Sequence, residues 1–394
     1  SILILEGLKS KYEEFHGVKY SKSAIISAVE LSKKYIQDRF LPDCAIDVID
    51  EVGASKKIEL SKTLKTKNEA NITIVSKDVE DVVSKMAHIP PRSATKSDLS
   101  LLKNLEKNMQ KRVFGQDKAI NSIVQAIKIN KAGLGVDKKP IGSFLFTGPT
   151  GVGKTEVAKE LALQMGIHFE RFDMSEYMEA HAVSRLIGAP AGYVGFEQGG
   201  LLTEAIRKHP HTVLLLDEIE KAHPDLMSIL LQVMDNAELT DNSGNKADFQ
   251  NVVLIMTSNL GVSEANVMGF AKNDKLNENR AINKFFAPEF RNRLDCVVSF
   301  DSLSLDIVSK VAGKFIEDLE KQLENKKIKI EISKKAKDEL AKLGYDKTMG
   351  ARPLNRVISE KIKKPLTDEI LFGKLKKGGV VKIDFKDDFV FIYE

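Results

Sequence analysis

The strongest chemical pattern in this chain is GPTGVGKT at residues 148–155, which fits the spacing G-x-x-x-x-G-K-[ST]. It lies between an expected strand and an expected helix, the context that a phosphate-binding loop requires. Its glycines allow backbone N–H groups to turn toward phosphate oxygens, and the following helix directs its positive N-terminal end to the same anion. The predicted phosphate-binding residues are Gly148, Pro149, Thr150, Gly151, Val152, Gly153, Lys154 and Thr155.

The second pattern is TVLLLDE at residues 212–218, an apolar run that ends in two carboxylates. In open α/β sheets, ligands bind at the carboxyl ends of the strands, where this acidic pair would lie. We expect Lys154 to neutralise the β- and γ-phosphates, and Thr155 and Asp217 to hold Mg²⁺. Glu218 is expected to orient and deprotonate a water molecule that attacks the phosphate. The pattern predicts hydrolysis of ATP to ADP with Mg²⁺.

A third and weaker pattern is MTSN at residues 256–259, which follows another apolar run. A polar side chain at the tip of a buried strand beside the γ-phosphate can hold the attacking water, and Asn259 is the candidate. The acidic pair argues against a small-molecule kinase, because that class needs a second substrate pocket for which no pattern is visible.

These residues must be positioned by a sheet, and the apolar runs predict its strands. The runs are continuous rather than alternating, as expected for strands covered by helices on both faces. We therefore expect an α/β fold with a five-stranded parallel sheet between helices. The candidate strands are residues 143–148, 168–174, 212–218, 251–258 and 296–300.

Four segments are expected along the chain. Residues 1–88 carry apolar residues at helical spacing and predict an all-helical subdomain without a phosphate-binding loop. Residues 89–98, which include the pair Pro90-Pro91, are expected to be a linker. Residues 99–303 form the predicted large α/β subdomain, which opens with helices at about 99–110 and 116–131. Residues 304–394 are expected to form a small α+β lid with strands near 327–332, 380–385 and 389–394.

Composition limits the function classes. The 394 residues carry a net charge of +4, which gives no basic field for nucleic-acid binding. The two cysteines, Cys44 and Cys296, show no spacing for a disulfide framework or a zinc site. No apolar run is long enough to cross a bilayer and no signal-peptide pattern is visible, so no membrane partner is expected and the cytoplasm is the expected location. The opening SILILEGLKS lacks an initiator Met, which leads us to expect a piece of a longer protein.

The order of GPTGVGKT, LLLDE, TSN, FRNRLD and GAR along the chain resembles that in the AAA+ ATPases, and specifically in the Clp/heat-shock unfoldases. The resemblance covers nearly the whole chain. It implies an AAA+ large subdomain with a small lid, preceded by a segment similar to the lid of a first ATPase module. The phosphate-binding loop of that first module is missing, and we expect truncation to explain its absence.

The resemblance also implies roles for residues outside the phosphate loop. Val113 and Phe114 are expected to flank the adenine base. Arg293, with Arg291 as the second choice, is expected to be an arginine finger that reaches the ATP of a neighbouring subunit. Arg352, in GAR, is expected to contact the γ-phosphate within its own subunit. GYVG at 192–195 resembles a pore loop, in which Tyr193 and Val194 would grip unfolded polypeptide.

Two features distinguish members of the family. The disaggregases carry a long coiled-coil insertion after a stretch like DEVGASKKIEL, whereas here only a short polar connection follows it. Met268, Gly269 and Phe270 stand where the family has a loop that docks on the ClpP peptidase ring. Met and Phe stand where Ile and Leu or Phe are more usual, but flexible Met should still fill an apolar cleft.

The resemblance therefore implies an ATP-dependent unfoldase that feeds polypeptide to ClpP, works as a homo-hexamer and receives substrates from adaptors through an absent N-terminal domain. A peptidase-independent disaggregase is the alternative within the family. A nucleic-acid-associated AAA+ ATPase is disfavoured because no basic groove or stacking array is visible. A non-catalytic scaffold is disfavoured because every catalytic position is intact.

Overall fold

A five-stranded parallel sheet forms the centre of the computed structural model, as the apolar runs predict. The structure describes residues 1–36, 39–63, 73–86, 95–136, 138–188, 199–260, 274–346 and 349–394. The strand order is β4-β5-β8-β3-β9. These strands are β3 (Gly142–Thr147), β4 (His168–Asp173), β5 (Thr212–Asp217), β8 (Val253–Thr257) and β9 (Cys296–Ser299).

Side chains alternate between the two faces of this sheet, although the strand sequences show no alternation in polarity. In β3, Phe144 and Phe146 belong to one buried cluster, while Leu145 belongs to the cluster on the opposite face. Both faces are apolar because helices cover both, so the three inner strands are uninterrupted runs of large apolar residues. The register places Asp173 directly beside Asp217 at the carboxyl ends of β4 and β5.

Helices connect and cover these strands. Gly153 precedes the helix that follows the phosphate loop, and its φ of 105° is a conformation that favours glycine. Pro224 begins a later helix at a position where its missing N–H costs no hydrogen bond. The helices are α5 (Thr95–Arg112), α6 (Asp117–Ile129), α7 (Lys154–Met165), α8 (Ala180–Ile187), α9 (Leu201–Lys208), α10 (Pro224–Asn236), α11 (Asp274–Phe285) and α12 (Pro288–Arg291).

A β-hairpin that the sequence did not predict lies between α10 and β8. Its strands are β6 (Glu238–Thr240) and β7 (Lys246–Asp248), joined by a turn at residues 241–245. The strands have three residues each, too few to produce a recognisable period in the sequence.

The N-terminal unit packs four helices around its own core, which includes Ile25, Val48 and Val83. We expected helices only, but a two-residue parallel pair, β1 (Lys19–Tyr20) and β2 (Thr73–Ile74), joins segments more than fifty residues apart. Pairs this short leave no sequence pattern. The helices are α1 (Ile2–His16), α2 (Lys22–Tyr35), α3 (Asp43–Thr63) and α4 (Ser76–Met86). The next helix, α5, begins at Thr95, within the predicted linker 89–98.

The C-terminal unit is an α+β structure, as expected. Its sheet has the order β10-β11-β12, in which β10 and β11 are parallel and β11 and β12 are antiparallel. Its buried residues, such as Leu340 and Ile358, share one continuous core with one face of the central sheet. The elements are α13 (Leu305–Leu323), β10 (Ile328–Ile332), α14 (Lys334–Gly344), α15 (Leu354–Ile358), α16 (Lys364–Leu371), β11 (Gly379–Phe385) and β12 (Phe389–Tyr393). Among the described residues, no helix has both the length and the apolar character needed to cross a membrane.

Candidate functional site

The phosphate loop predicted from GPTGVGKT connects the end of β3 to the start of α7. Gly148, Gly151 and Gly153 have φ values of 127°, 73° and 105°, a region that L-residues with side chains rarely adopt. These conformations let the loop turn sharply and leave its N–H groups at the N-terminal end of the helix. The loop can therefore bind an anion through main-chain donors.

Lys154 folds back over this loop. Its Nζ donates to the carbonyl oxygens of Gly148 at 2.5 Å and Pro149 at 3.2 Å, and to the carbonyl of Ser258 at 2.9 Å. The last bond connects the loop to the end of β8. The Lys154 ammonium thus lies between the phosphate loop and the segment that carries Asn259, where it can neutralise a bound phosphate.

Asp217 ends β5 and is held by two neighbours. Its Oδ1 accepts a hydrogen bond from the Thr257 hydroxyl, and its Oδ2 lies 3.0 Å from Nε and 2.7 Å from Nη2 of Arg171. Arg171 also contacts Asp173 at 3.2 Å. One arginine therefore bridges the two carboxylates that end adjacent strands. It offsets the repulsion between carboxylates placed side by side by the strand register.

Burial alone would raise the pKa of Asp173. Hydrogen bonds from the hydroxyl and N–H of Ser175, together with the charges of Arg171 and Lys221, outweigh burial and hold the pKa of Asp173 below its ordinary value. Asp173 is therefore a fixed negative charge beside Asp217 at neutral pH.

Glu218 adopts the left-handed conformation, with φ 58° and ψ 51°, which is unusual for a residue with a long side chain. Its N–H donates to the Thr257 hydroxyl at 3.0 Å, and its carboxylate forms an ion pair with Lys221. Hydrogen bonding to Glu218 and the charge of its carboxylate raise the pKa of the Lys221 amine. Backbone strain at such a position occurs mainly at functional sites, where the surrounding structure maintains it.

Asn259 follows β8 and lines the same cavity as the phosphate loop. Its N–H donates to Oε1 of Glu220 at 3.2 Å, and the preceding Ser258 N–H donates to the carbonyl of Phe146 in β3 at 2.8 Å. Contacts from β3 and from the turn after β5 therefore fix the backbone at Asn259. Its place in the cavity lining puts it near any group bound there.

Val113 and Phe114, which are expected to flank the adenine base, line one side of the cavity together with apolar residues that follow β9. Leu303, Val311 and Phe315 line this side, so an aromatic base would be enclosed by apolar groups from both units. These residues come from three separate stretches of sequence.

Gln116, for which the sequence predicted no role, connects two segments next to this side of the cavity. Its side chain is 3% exposed. Its Nε2 donates to the carbonyl oxygens of Val152 at 3.2 Å and Asp301 at 2.9 Å, and its Oε1 accepts from the Asp301 N–H at 3.3 Å. One buried amide thus connects the phosphate loop to the segment that leads from β9 into the C-terminal unit.

The C-terminal unit also contacts the phosphate loop directly. The Ala351 N–H donates to the Gly151 carbonyl at 3.1 Å. Arg352 is exposed and lines the cavity, and Lys314 Nζ lies 2.6 Å from Glu156 Oε1. The cavity is about 390 Å³ and has walls from both units. This volume lies within the usual range for small-molecule sites.

The two arginines predicted as finger candidates do not line this cavity. Arg293 Nε donates to Asp235 Oδ2 at 2.6 Å, and its Nη1 donates to the Glu289 carbonyl at 2.9 Å. Arg291 donates to the Phe286 carbonyl at 3.2 Å and to the Asn283 side chain. Neither side chain is therefore available to the cavity of its own chain in this conformation.

Five predicted site residues lie outside the described part of the chain. They are Tyr193, Val194, Met268, Gly269 and Phe270.

The donor set fits Mg²⁺. The Thr155 hydroxyl and the Asp217 carboxylate line the same cavity, and hard oxygen ligands of this kind are those that Mg²⁺ prefers. Magnesium typically binds through one or two protein oxygens and completes its shell with substrate phosphates and water. The described residues include no His, Cys, Asp and Glu cluster suited to an all-protein metal cage.

Four residues that stabilise the site were not predicted from the sequence: Arg171, Thr257, Gln116 and Lys314. Thr257 lies within the MTSN segment that contains Asn259, and Gln116 lies two residues after Phe114. Their position within or next to a predicted site segment was therefore the sequence signal that could have identified these two polar residues. Arg171 and Lys314 carry no such signal.

Comparisons with known families match successive parts of the chain. The family described as "AAA lid domain" matches residues 1–108, "AAA domain (Cdc48 subfamily)" matches residues 139–297, and "C-terminal, D2-small domain, of ClpB protein" matches residues 303–383. The three matches follow the order of the units in the structure.

Individual proteins match over nearly the whole chain. A ClpA homolog protein from Fuscovulum blasticum is 54% identical over 98% of this chain and 48% of its own length. The ATP-dependent Clp protease ATP-binding subunit ClpE of Streptococcus pneumoniae is 40% identical over 96% of this chain and 57% of its own. A closed-state reconstruction of Hsp104 with ATPγS and FITC casein is 34% identical with a TM-score of 0.73, over 100% of this chain and 67% of that one. The chain spans about half the length of the curated relatives it matches.

Proposed function

The chain belongs to the Clp/Hsp100 family of AAA+ ATPases, and from this premise we propose that it hydrolyses Mg-ATP in the cavity between its central sheet and its C-terminal unit. The convergence of the 148–155 loop, Asp217, Glu218 and Asn259 on one cavity carries this proposal. These groups come from three strands that are neighbours in the sheet. A phosphate-binding loop beside two carboxylates is the arrangement that phosphate transfer to water requires.

Each residue has a role in the proposed reaction. Lys154 and the loop N–H groups bind the phosphates, Thr155 and Asp217 hold Mg²⁺, and Asn259 orients the attacking water. Mg²⁺, when bound, offsets the negative charge that develops on the phosphate oxygens. Glu218 acts as the general base that accepts a proton from the water. To do so, its carboxylate must first break its ion pair with Lys221.

Two arginines complete the proposed site from different sides. Arg352 contacts the γ-phosphate from the C-terminal unit of the same chain, for which its exposed position on the cavity wall is suitable. Arg293 reaches the nucleotide of a neighbouring subunit, and its contacts with Asp235 and Glu289 hold it in the isolated chain. An arginine finger that acts between subunits requires a closed assembly, and we propose a homo-hexamer.

We propose that hydrolysis drives unfolding and translocation of polypeptide. Tyr193 and Val194 would grip the substrate, because an aromatic ring can contact many sequences through apolar surface. The similarity to Hsp104 bound to ATPγS and FITC casein supports a polypeptide substrate.

The proposed partner is the ClpP peptidase ring, which Met268, Gly269 and Phe270 would contact. The similarity to a protein named as a Clp protease ATP-binding subunit supports this partner, as does the short connection after α3. Adaptor proteins would act through a domain upstream of this chain, and the proposed location is the cytoplasm.

The proposed organisation keeps the boundaries expected from the sequence, although α5 begins at Thr95, inside the expected linker. Residues 1–88 are the C-terminal subdomain of a first module, 89–98 the linker, 99–303 the large subdomain and 304–394 the lid. Rotation of the lid against the large subdomain would generate the force on the substrate.

ATPase rate against protein concentration tests the first proposal. We expect the rate per subunit to rise cooperatively with concentration, because a neighbour supplies Arg293. A rate per subunit that is independent of concentration would contradict the shared site, and the absence of hydrolysis in the assembled full-length protein would contradict the ATPase.

Co-sedimentation with ClpP tests the partner. The Met268→Ser and Phe270→Ser double variant should lose ClpP binding while it retains ATPase activity. If wild-type protein does not bind ClpP but still recovers aggregated proteins, the peptidase-independent disaggregase becomes the favoured function. Binding to DNA that weakens with salt would instead support the nucleic-acid class.

A further inference from the structure

Asp217, the proposed Mg²⁺ ligand at the end of β5, contacts a neutral donor through one carboxylate oxygen and a cation through the other. Its Oδ1 accepts from the Thr257 hydroxyl, and its Oδ2 lies 3.0 Å from Nε and 2.7 Å from Nη2 of Arg171. The hydroxyl is compatible with a metal ion on the same carboxylate, because metal-ligating carboxylates are usually hydrogen-bonded as well. The guanidinium is not, because two cations would then lie within a few ångströms of each other.

The contact between Thr257 and Asp217 is fixed by its surroundings. Thr257 is 1% exposed, and its hydroxyl oxygen accepts from the Glu218 N–H at 3.0 Å. A hydroxyl group has a single proton to donate, and here that proton is directed to Asp217. The Oδ1 side of the carboxylate therefore keeps its hydrogen bond whether or not a metal is bound.

The contact between Arg171 and Asp217 can be exchanged. The Arg171 side chain is 44% exposed, and its Nη2 also lies 3.2 Å from Asp173 Oδ2. The Asp173 carboxylate is itself held through Oδ1, which accepts from the N–H and the hydroxyl of Ser175. The guanidinium can therefore release Asp217 and remain paired with Asp173, so the exchange leaves no charge without a counter-charge.

The charge at this edge of the sheet would attract a divalent cation without the arginine. The strand register places Asp173 directly beside Asp217, and both line the cavity together with Thr155. Two adjacent carboxylates and a hydroxyl are hard oxygen donors of the kind that bind Mg²⁺. Arg171 adds a positive charge between the carboxylates and so weakens their attraction for a second cation.

We propose that Arg171 competes with Mg²⁺ for Asp217, so that the metal enters with the nucleotide rather than alone. This inference rests on the proposed function, because it takes Asp217 as a Mg²⁺ ligand. Nucleotide phosphates supply further negative charge and further oxygen ligands, and with them Asp217 exchanges the guanidinium for the metal. Arg171 thereby controls metal entry through Asp217 rather than through contact with the reacting atoms.

Electron paramagnetic resonance of Mn²⁺, which takes the same oxygen ligands as Mg²⁺, tests the competition on nucleotide-free protein. Arg171→Gln should bind Mn²⁺ about tenfold or more tightly than wild type, because one positive charge is removed beside the metal ligands. Arg171→Lys keeps the charge and should stay within about threefold of wild type. Arg39→Gln is the matched control, because Arg39 pairs with Asp47 in the N-terminal unit and is not part of the cavity lining.

Urea unfolding gives a second readout that does not depend on activity. A ligand that binds only the folded protein stabilises it, so MgCl₂ without nucleotide should raise the urea midpoint of Arg171→Gln more than that of wild type or Arg39→Gln. Both the added Mn²⁺ affinity and the effect of MgCl₂ should disappear when Asp217→Asn is combined with Arg171→Gln. General damage to the fold would not produce this gain in metal binding.

Two outcomes would overturn the competition. One is Mn²⁺ binding by folded Arg171→Gln that is equal to or weaker than that of wild type. The proposed metal site would then still stand if Asp217→Asn loses Mg²⁺-dependent ADP binding. The other is tighter Mn²⁺ binding that persists in the double variant, which would place the metal elsewhere and overturn the assignment of Asp217 as well.

Discussion

Lys314 of the C-terminal unit lies 2.6 Å from Glu156, the residue that follows Thr155 in the helix after the phosphate loop. The lysine side chain is 9% exposed and the glutamate side chain 45% exposed. The two units that enclose the cavity are therefore joined by an ion pair with one buried and one half-exposed member. We therefore expect removal of the lysine charge and removal of the glutamate charge to lower the free energy of unfolding by different amounts.

Glu156→Gln should destabilise the protein more than Lys314→Met. Loss of the glutamate charge leaves a buried ammonium without its counter-charge, whereas methionine replaces lysine with an apolar chain of similar length. Because Glu156 is half exposed, we expect a loss of about 1–2 kcal/mol for Glu156→Gln and less than about 1 kcal/mol for Lys314→Met. Urea unfolding monitored at the C-terminal unit measures both. A larger loss for Lys314→Met than for Glu156→Gln would show that an unpaired, buried Lys314 charge is not the main source of destabilisation.

Glu218→Gln should retain nucleotide binding and lose hydrolysis. The amide can still form hydrogen bonds at this position but cannot accept a proton from the attacking water. We expect a decrease of about 10²–10⁴-fold in the rate of phosphate release, the range for a general base. Fluorescent nucleotide binding in parallel checks that the site is intact. Turnover at the wild-type rate would remove Glu218 from its proposed role.

Arg293→Ala should reduce the ATPase rate by about 10³-fold or more without weakening nucleotide binding, because the arginine acts on a neighbour's nucleotide. Arg291→Ala serves as the control and should have a smaller effect. Mixing Arg293→Ala with Glu218→Gln subunits provides a sharper assay. Each mixture contains sites with an intact Glu218 and a neighbouring Arg293, so two inactive variants should regain activity together. If mixtures stay inactive, the arginine does not act between subunits.

Asp241 should contribute to stability at neutral pH and lose that contribution in acid. Burial alone would raise the pKa of Asp241, but hydrogen bonds from Asn245, Gly200 and Thr203 hold it below the ordinary value. A lowered pKa means that stabilisation is complete above the unfolded-state value of about 3.9 and disappears as pH falls through the folded-state value. The difference in urea midpoint between wild type and Asp241→Asn should therefore be constant from pH 5 to 8, as about 3.9 lies below that range. The difference in urea midpoint should decrease below about pH 4, and an increase there would contradict a lowered pKa for Asp241.

Gly151→Ala should abolish nucleotide binding. A Cβ atom at this position would lie 2.0 Å from the Met349 carbonyl, so the loop or the C-terminal unit would have to move. Gly244→Ala is the matched control, because Gly244 has a φ of 83° but a Cβ atom there meets nothing within 4 Å. The control should lose about 1–2 kcal/mol from backbone strain alone and bind nucleotide normally. Isothermal titration with ADP compares them, and equal affinities would show that the close contact is not needed.

The local parts of the site could be predicted from sequence because each occupies a few consecutive residues. The loop at 148–155 and the pair Asp217 and Glu218 carry their chemistry and their strand in one short run. The strands around Leu145, Leu215 and Ile255 were recognisable as apolar runs for the same reason. The five-stranded parallel sheet predicted from these runs is confirmed.

The supporting contacts could not be predicted, because their partners are distant in sequence. Arg171 meets Asp217 across 46 residues and Gln116 meets Asp301 across 185 residues. Strand register and the packing of the chain's units against each other, which no local pattern encodes, bring these pairs together. The hairpin at 238–248 was missed because its contribution lies in hydrogen bonds to other segments rather than in its own periodicity.

The contact between Ala351 and Gly151 is made by main-chain atoms on both sides, and a Cβ atom placed on the adjacent Gly350 would lie 2.7 Å from the Thr150 carbonyl oxygen. Most side-chain substitutions leave the donor and the acceptor of this bond unchanged. A substitution can disturb the bond by adding bulk, as at Gly151, or by removing the N–H group, as proline at residue 351 would. Side-chain contacts such as that between Lys314 and Glu156 are therefore the places where substitution can alter, in small steps, how tightly the C-terminal unit is joined to the helix after the phosphate loop.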